Sequence, residues 1–404
     1  MKNAEVKRQR AIFLTAFFVR EAFIGPVMVA FYTNYLGLTF FEMTLFFSIS
    51  LAARGIAEMP AGVLSDILGK KRGLICGEII CLLSMAALFL QRFGNAGTGI
   101  YAIAVFWGVG GAISSGNLVP LLHEMRGRIS DNEFHRNLSY RKSLSALSFL
   151  VASISSGYLA QVTLSLPVIL DIVYSSIFIA LCCAYMPNTV PDGFELTKVS
   201  LISKIKIHLR KLIGVDRYKL FPVAIISGVV MGAERASFNF LQPQLVVAGI
   251  DVTMWGWISS LLYICSFTAS HFWGRSISNH FGKIRIIIYI AALSLLTTCL
   301  LIYYDNAYGT ITYLASNAII MAILGPMCSM ILLNICESTQ SIKSSVFSAF
   351  ALIGAICSIF AQSLTGFLSS NYSPEALVFA CSATCTFTLV VGIYFLNQTY
   401  AFGK

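Results

Sequence analysis

Gly62-Val63-Leu64-Ser65-Asp66-Ile67-Leu68-Gly69-Lys70-Lys71-Arg72 joins two apolar stretches, each long enough to cross a bilayer. A hydrocarbon core of roughly 30 Å takes about 20 helical residues per crossing. The same alternation of apolar run and short polar joint continues along the chain. Twelve crossings follow from it: 11–34, 41–63, 73–92, 99–122, 141–163, 166–186, 220–243, 254–274, 285–304, 310–333, 344–369 and 375–397. The expected fold class is therefore all-α and membrane-integral, embedded in a lipid bilayer.

Composition agrees. Hydrophobic residues make up 57% of the 404 residues and charged ones 11%, whereas a soluble domain carries about 25% charged residues. Such a chain cannot cover a water-facing surface. No long polar region leaves room for an enzyme module, so no enzymatic activity and no cofactor are expected. No Gly-x-x-x-x-Gly-Lys-Ser/Thr phosphate loop is present, which argues against direct ATP coupling. The 11 cysteines form no Cys-x-x-Cys pair and read as small buried hydrophobes, not as metal ligands.

A net charge of +10 could suggest nucleic acid, but its distribution excludes that. All Lys and Arg except Arg20, Arg54, Arg92 and Arg235 fall in segments on one side of the twelve crossings. That asymmetry places both termini in the cytoplasm. The basic start, Lys2 to Arg10, precedes a run with no small-residue cleavage site and reads as a retained first helix.

The longest polar interruption divides the chain into an N-terminal six-helix bundle (1–186), a cytoplasmic central loop (187–219) and a C-terminal six-helix bundle (220–404). The halves repeat at a nearly fixed offset. Gly37 and Gly62 recur as Gly249 and Gly274. Gly69, Lys70 and Arg72 recur as Gly282, Lys283 and Arg285, and Ser156-Gly157 as Thr365-Gly366. An even number of crossings per half makes this a parallel repeat. In such proteins the substrate path lies near the midplane between halves that rock to give alternating access.

The Gly62-x-x-x-Asp66-x-x-Gly69-Lys70-Lys71-Arg72 joint, its weaker copy at Gly274…Gly282-Lys283 and the parallel repeat resemble the major facilitator superfamily over nearly the whole chain. Glu58-x-Pro60-x-Gly62 and Gly108-x-Gly110-Gly111…Ser115-Gly116 resemble its drug-efflux-like bacterial branch. Within that branch, a microcin C-type antibiotic exporter is the nearer likeness. The chain departs from efflux patterns in having Ile67 after Asp66, no arginine inside the fourth crossing and no Gly-Pro pair in the fifth. The resemblance implies a gating role for Gly62, Asp66, Gly69, Lys70 and Arg72. Lys71 reads better as a plain orientation charge.

An ionised side chain at mid-bilayer costs about 2.5–3.5 kcal/mol on insertion scales. The chain nevertheless keeps Arg20, Glu21, Arg54, Glu58, Glu234 and Arg235 within crossings, with Asp171 nearer one end of the sixth. Glu21, Glu234 and Asp171 are the proton-coupling candidates. Arg20, Arg54, Glu58 and Arg235 are their charge partners, and Arg54 and Glu58 share one helix face at spacing four. The resemblance places the first, fourth, seventh and tenth crossings beside a central cavity. Its lining candidates are Tyr32, Asn34, Trp107, Asn117, Asn239, Gln242 and Asn317.

These features describe a secondary transporter that exports an amphipathic organic compound, such as a drug or a peptide or nucleotide antibiotic, in exchange for protons. Proton-coupled import of a small metabolite, for which Arg20, Arg54 and Arg235 leave an anionic one open, is the alternative, and a non-transporting membrane sensor the third. The expected setting is the cytoplasmic (inner) membrane of a bacterium, as a monomer.

Overall fold

The computed structural model describes residues 23–91, 99–124, 131–186, 217–280, 290, 292–300, 307–339, 343–369 and 371–401. Among them there is no strand. Twelve helical segments follow one another in the order of the expected crossings. The first, α1, is a composite of a 3-10 turn at Gly25–Val27, an α turn at Met28–Ala30 and a π turn at Phe31–Tyr35. The sequence leads one to expect a single helix over 11–34, of which 11–22 lie outside the described residues. Pro26 supplies no N–H to a continuing ladder, and the Leu36 N–H reaches five residues back to the Phe31 carbonyl at 3.1 Å.

The remaining helices are α2 (Phe40–Leu68), α3 (Lys70–Leu90), α4 (Gly99–Glu124), α5 (Asp131–Val162), α6 (Leu166–Tyr185), α7 (Arg217–Val247), α8 (Val252–His280), α9 (292–300), α10 (Ala307–Thr339), α11 (Lys343–Leu368) and α12 (Pro374–Ala401). Among the described residues, five hold an unbroken apolar window long enough to span a bilayer. These lie at Phe40–Glu58, Lys70–Leu90, Leu144–Val162, Leu166–Tyr185 and Val252–Ala269, and four more helices carry shorter apolar runs. α5 starts at Asp131, well before its apolar window, because the polar Asp131–Tyr140 stretch continues the same helix beyond it.

The described residues divide into two compact units. One contains those up to Gly37 and from Ile49 to Met186. The other contains Leu38–Ser48 and everything from Arg217 onward. The start of α2 thus belongs to the second unit, where Phe40 stacks on Phe240 at 5.0 Å and Ser363 Oγ donates to Ser48 Oγ at 2.9 Å.

The repeat is visible in two turns. Gly37 and Gly249 adopt φ of 73° and 68°, a region that costs a glycine nothing and other residues roughly 1–2 kcal/mol. Two residues after each comes a cap. Glu42 N–H donates to Thr39 Oγ1 at 3.2 Å while Thr39 N–H donates back to Glu42 Oε2 at 2.8 Å, a capping box at the start of α2. Asp251 Oδ1 accepts the Thr253 N–H at 2.8 Å at the start of α8. Each cap contributes about 1 kcal/mol.

In the first unit Leu74, Leu121, Phe178, Cys182 and Met186 form one buried cluster that joins α3, α4 and α6. In the second, α7 runs along α11 with Gly228 against Gly354 and Gly232 against Ser358. The Gly-x-x-x-Gly spacing of α7 is used inside its own unit, as small-residue packing in a membrane favours.

Candidate functional site

Arg54 is the middle residue of the 29-residue α2. α4 approaches it through Gly108, where a Cβ would overlap the Ser50 carbonyl oxygen and come within 3.0 Å of the Arg54 nitrogen. Two turns further along α4, Ser115 meets the arginine, and Arg54 Nη2 donates to Ser115 Oγ at 3.0 Å. That hydroxyl is oriented by its own donation to the Gly111 carbonyl at 2.7 Å. Glu58, one turn along α2, lies within electrostatic reach. Among the described residues, however, the guanidinium hydrogen-bonds to α4 and not to that carboxylate. Both side chains are partly exposed.

α3 and α4 lie so close that a Cβ on Gly77 would sit 2.5 Å from the Ser114 nitrogen. On this seam the next residue, Glu78, is buried and accepts a hydrogen bond from Ser114 Oγ. Asn117 is fully buried on the same seam. It faces Gly73 and donates to the Ile113 carbonyl at 2.6 Å. Trp107 is buried too, its carbonyl accepting from Cys81 Sγ at 3.7 Å. Lys71 does more than mark orientation. Its Nζ donates to the Cys183 and Met186 carbonyls at 3.0 and 2.7 Å and caps the C-terminal end of α6. Asp171, buried in α6, accepts the Phe23 and Ile24 N–H groups at 3.0 and 2.9 Å, just before α1 begins.

In the second unit Glu234 is partly buried on α7, within electrostatic reach of Tyr263 on α8 and Cys385 on α12. Among the described residues its carboxylate forms no hydrogen bond or ion pair. Its neighbour Arg235 is also partly buried. Asn239, Gln242 and Asn317 are all buried. The Tyr313 hydroxyl lies beside Ser237 and Asn317. Both amide atoms of Asn317 and of Gln244 are buried without a hydrogen-bond partner among the described residues. Between α9 and α12 four buried hydroxyls join up: Ser294 to Thr386 at 2.7 Å, Thr386 to Thr298 at 3.1 Å and Thr298 to Ser382 at 2.6 Å.

Arg20 and Glu21 lie outside the described residues. Gly62 and Asp66 fall in the last two turns of α2. Gly69 breaks the chain with φ of 84°, Lys70 opens α3 and Arg72 is exposed. Tyr32 is buried in the π turn, whereas Asn34 in the same turn is exposed. Sequence reasoning passed over Glu78, the one acid within α3, although an acid in that apolar stretch was a readable signal. Ser114 and Tyr313 carry no such signal, and Ser115 stood out only as part of the glycine-rich motif of α4; packing reveals what these side chains meet. Among the described residues no group of three or more His, Cys, Asp or Glu could hold a metal ion.

The model of the Major Facilitator Superfamily matches residues 11–361. The chain belongs to that superfamily. Its sequence is 37% identical over 87 residues to an uncharacterized MFS-type transporter of Methanocaldococcus jannaschii, a match spanning 22% of each chain. Its fold is that of two solved structures, each 12% identical and covering 96% of both chains. One is a POT family transporter in complex with 5-aminolevulinic acid, at a TM-score of 0.75. The other is a POT family transporter in complex with a thioalcohol-conjugated peptide, at 0.74. The chain is a multi-pass membrane transporter of the major facilitator type, with the twelve helices expected of it.

Proposed function

We propose that this transporter is proton-coupled and exports an amphipathic organic compound by alternating access, with Glu234 as a proton-carrying group. The observation that carries the reading is the setting of Glu234. It is a carboxyl within a membrane-spanning helix, within electrostatic reach of Arg235, Tyr263 and Cys385, with no hydrogen bond or ion pair among the described residues. Intramembrane acids of this kind mark proton and substrate pathways. Glu21 and Asp171 remain the other candidates. Asp171 serves as an acceptor for backbone N–H groups in the state described here, so its protonation would release the entry to α1. The gate is assigned to Gly62, Asp66, Gly69, Lys70 and Arg72, the joint on which α2 and α3 turn.

A second reading, import of a small anionic metabolite, draws on Arg54, whose hydrogen-bonding capacity is largely unused, and on the amino-carboxylate and peptide ligands of the two structural neighbours. The deciding experiment measures substrate-induced proton movement in inside-out vesicles energised to an acidic lumen. Export by exchange predicts that a transported compound dissipates the gradient with wild type and fails to do so with Glu234→Gln. Uptake into right-side-out vesicles with co-moving protons would establish import instead. Dissipation that survives both Glu234→Gln and Glu21→Gln would remove these acids from the mechanism.

A further inference from the structure

A guanidinium in the middle of a transmembrane helix needs a partner for its charge. Arg54 lies inside the apolar window of α2, Phe40–Glu58, one helical turn from its Glu58 end, about 6 Å at 1.5 Å per residue. Its one hydrogen bond among the described residues uses a single N–H, donated to a neutral hydroxyl. Among the described residues the other N–H groups of the planar fork meet no acceptor. Glu58 does not hydrogen-bond to it, and the side chain is partly exposed.

The arrangement is also built, in that three features fix where the fork points. Gly108 allows the α2 backbone against α4, Ser115 takes one edge of the fork, and the Gly111 carbonyl fixes the Ser115 hydroxyl. A guanidinium held along one edge presents its other edge to a planar, two-oxygen acceptor.

We propose that Arg54, held by Ser115 across the Gly108 contact, is the anchor for an anionic group, carboxylate or phosphate, on the transported solute. The proposal deepens the transport reading and rests on it for the word solute. The anion site itself can be tested without any flux.

The test is protection of Arg54 from an arginine-selective dicarbonyl reagent, located by peptide mass spectrometry. The full chain is reconstituted in vesicles of phosphatidylcholine alone. The probes are acetate, inorganic phosphate and the dipeptide N-acetyl-Ala-Ala, with its C-terminal amide as the neutral control. A charge-assisted bond of about 1.5 kcal/mol corresponds to roughly tenfold slower labelling with a saturating anion and no change with the amide. Ser115→Ala, which leaves the arginine in place, is expected to lose most of that protection.

Equal protection by dipeptide and amide, or none by any anion, overturns the proposal. So does protection that appears only when phosphatidylglycerol is added to the vesicles, because the anion is then a lipid. If proton movement fails in the previous experiment while anions still protect Arg54, the coupling reading falls and the anion site stands.

Discussion

The two halves agree at their turns and disagree in their interiors. Gly37 and Gly249, 212 residues apart, hold the same left-handed backbone, and the residues two further on, Thr39 and Asp251, each cap the following helix. At the same offset Arg54 and Glu58 of α2 correspond to Ser266 and Ser270 of α8. The tight seams differ as well. The first unit packs α4 on α2 and α3 through Gly108 and Gly77, whose counterparts 213 residues on are Met321 and Ile290. The second unit packs α7 on α11 through Gly228 and Gly354. The repeat therefore preserves how helices enter and leave, while each half has its own means of placing charge inside.

The largest expected effect comes from closing the Gly108 contact. Gly108→Leu forces α4 away from α2, an overpacking change of about 3 kcal/mol or more, whereas Met321→Leu at the corresponding place costs under about 1.5 kcal/mol. Thermal unfolding of the purified protein in detergent checks both. Equal losses would mean that the two halves use these positions alike, and the contrast drawn above would be wrong.

Next comes Asp171. Replacing it with Leu strands the buried Ile24 N–H and the part-buried Phe23 N–H just before α1, and a stranded buried group costs about 1–3 kcal/mol. Asp171→Asn keeps one acceptor oxygen and should lose less than half as much stability. Hydrogen exchange at Phe23 and Ile24 reads the same contact directly. Fast exchange at both amides in wild type would show that the carboxylate is not holding them.

Lys71 separates the two copies of the glycine joint, since its counterpart is Ile284. Lys71→Ala removes two hydrogen bonds from the end of α6 and should cost about 1 kcal/mol. Arg72→Ala, one residue further and exposed, should fall within about 0.5 kcal/mol of wild type. The same unfolding measurement ranks them. A larger loss at Arg72 would return Lys71 to the role of a simple orientation charge.

The sequence made the frame legible because the membrane imposes a coarse code of apolar runs of fixed minimum length, basic joints on one side, and glycines at turns. Twelve crossings and the matched Gly37 and Gly249 were readable on those grounds. The composite α1 was not, because a π turn depends on which carbonyl an N–H finds and leaves no mark in periodicity. The charges were readable as residues but not as partners. Arg54 and Glu58 at spacing four suggested each other, while the hydrogen bond goes to Ser115, brought there by Gly108, a glycine legible as part of a motif but not as a contact with α2. Lys71 looked like one basic residue in a run until its carbonyl partners on α6, more than 110 positions away, came into view.

The smallest effect tests whether buried hydroxyls in the second unit carry weight comparable to those charges. Thr298 gives its one proton to the Ser294 carbonyl at 2.8 Å, so Ser382 must donate to Thr298, while Thr386 joins Thr298 and Ser294. Every member is then satisfied, yet each contact within a membrane bundle contributes only about 0.6 kcal/mol, because the separated helices find other partners. Thr386→Val should therefore lower stability by about 1 kcal/mol, and Thr386→Ser, which keeps the hydroxyl, by less. Glu78→Gln offers the same comparison in the first unit, because an amide oxygen still accepts from Ser114. If Thr386→Val proved more damaging than Asp171→Leu, neutral hydroxyl pairing and not charge placement would be the stronger constraint, and the interiors of the two halves would differ less than their side chains suggest.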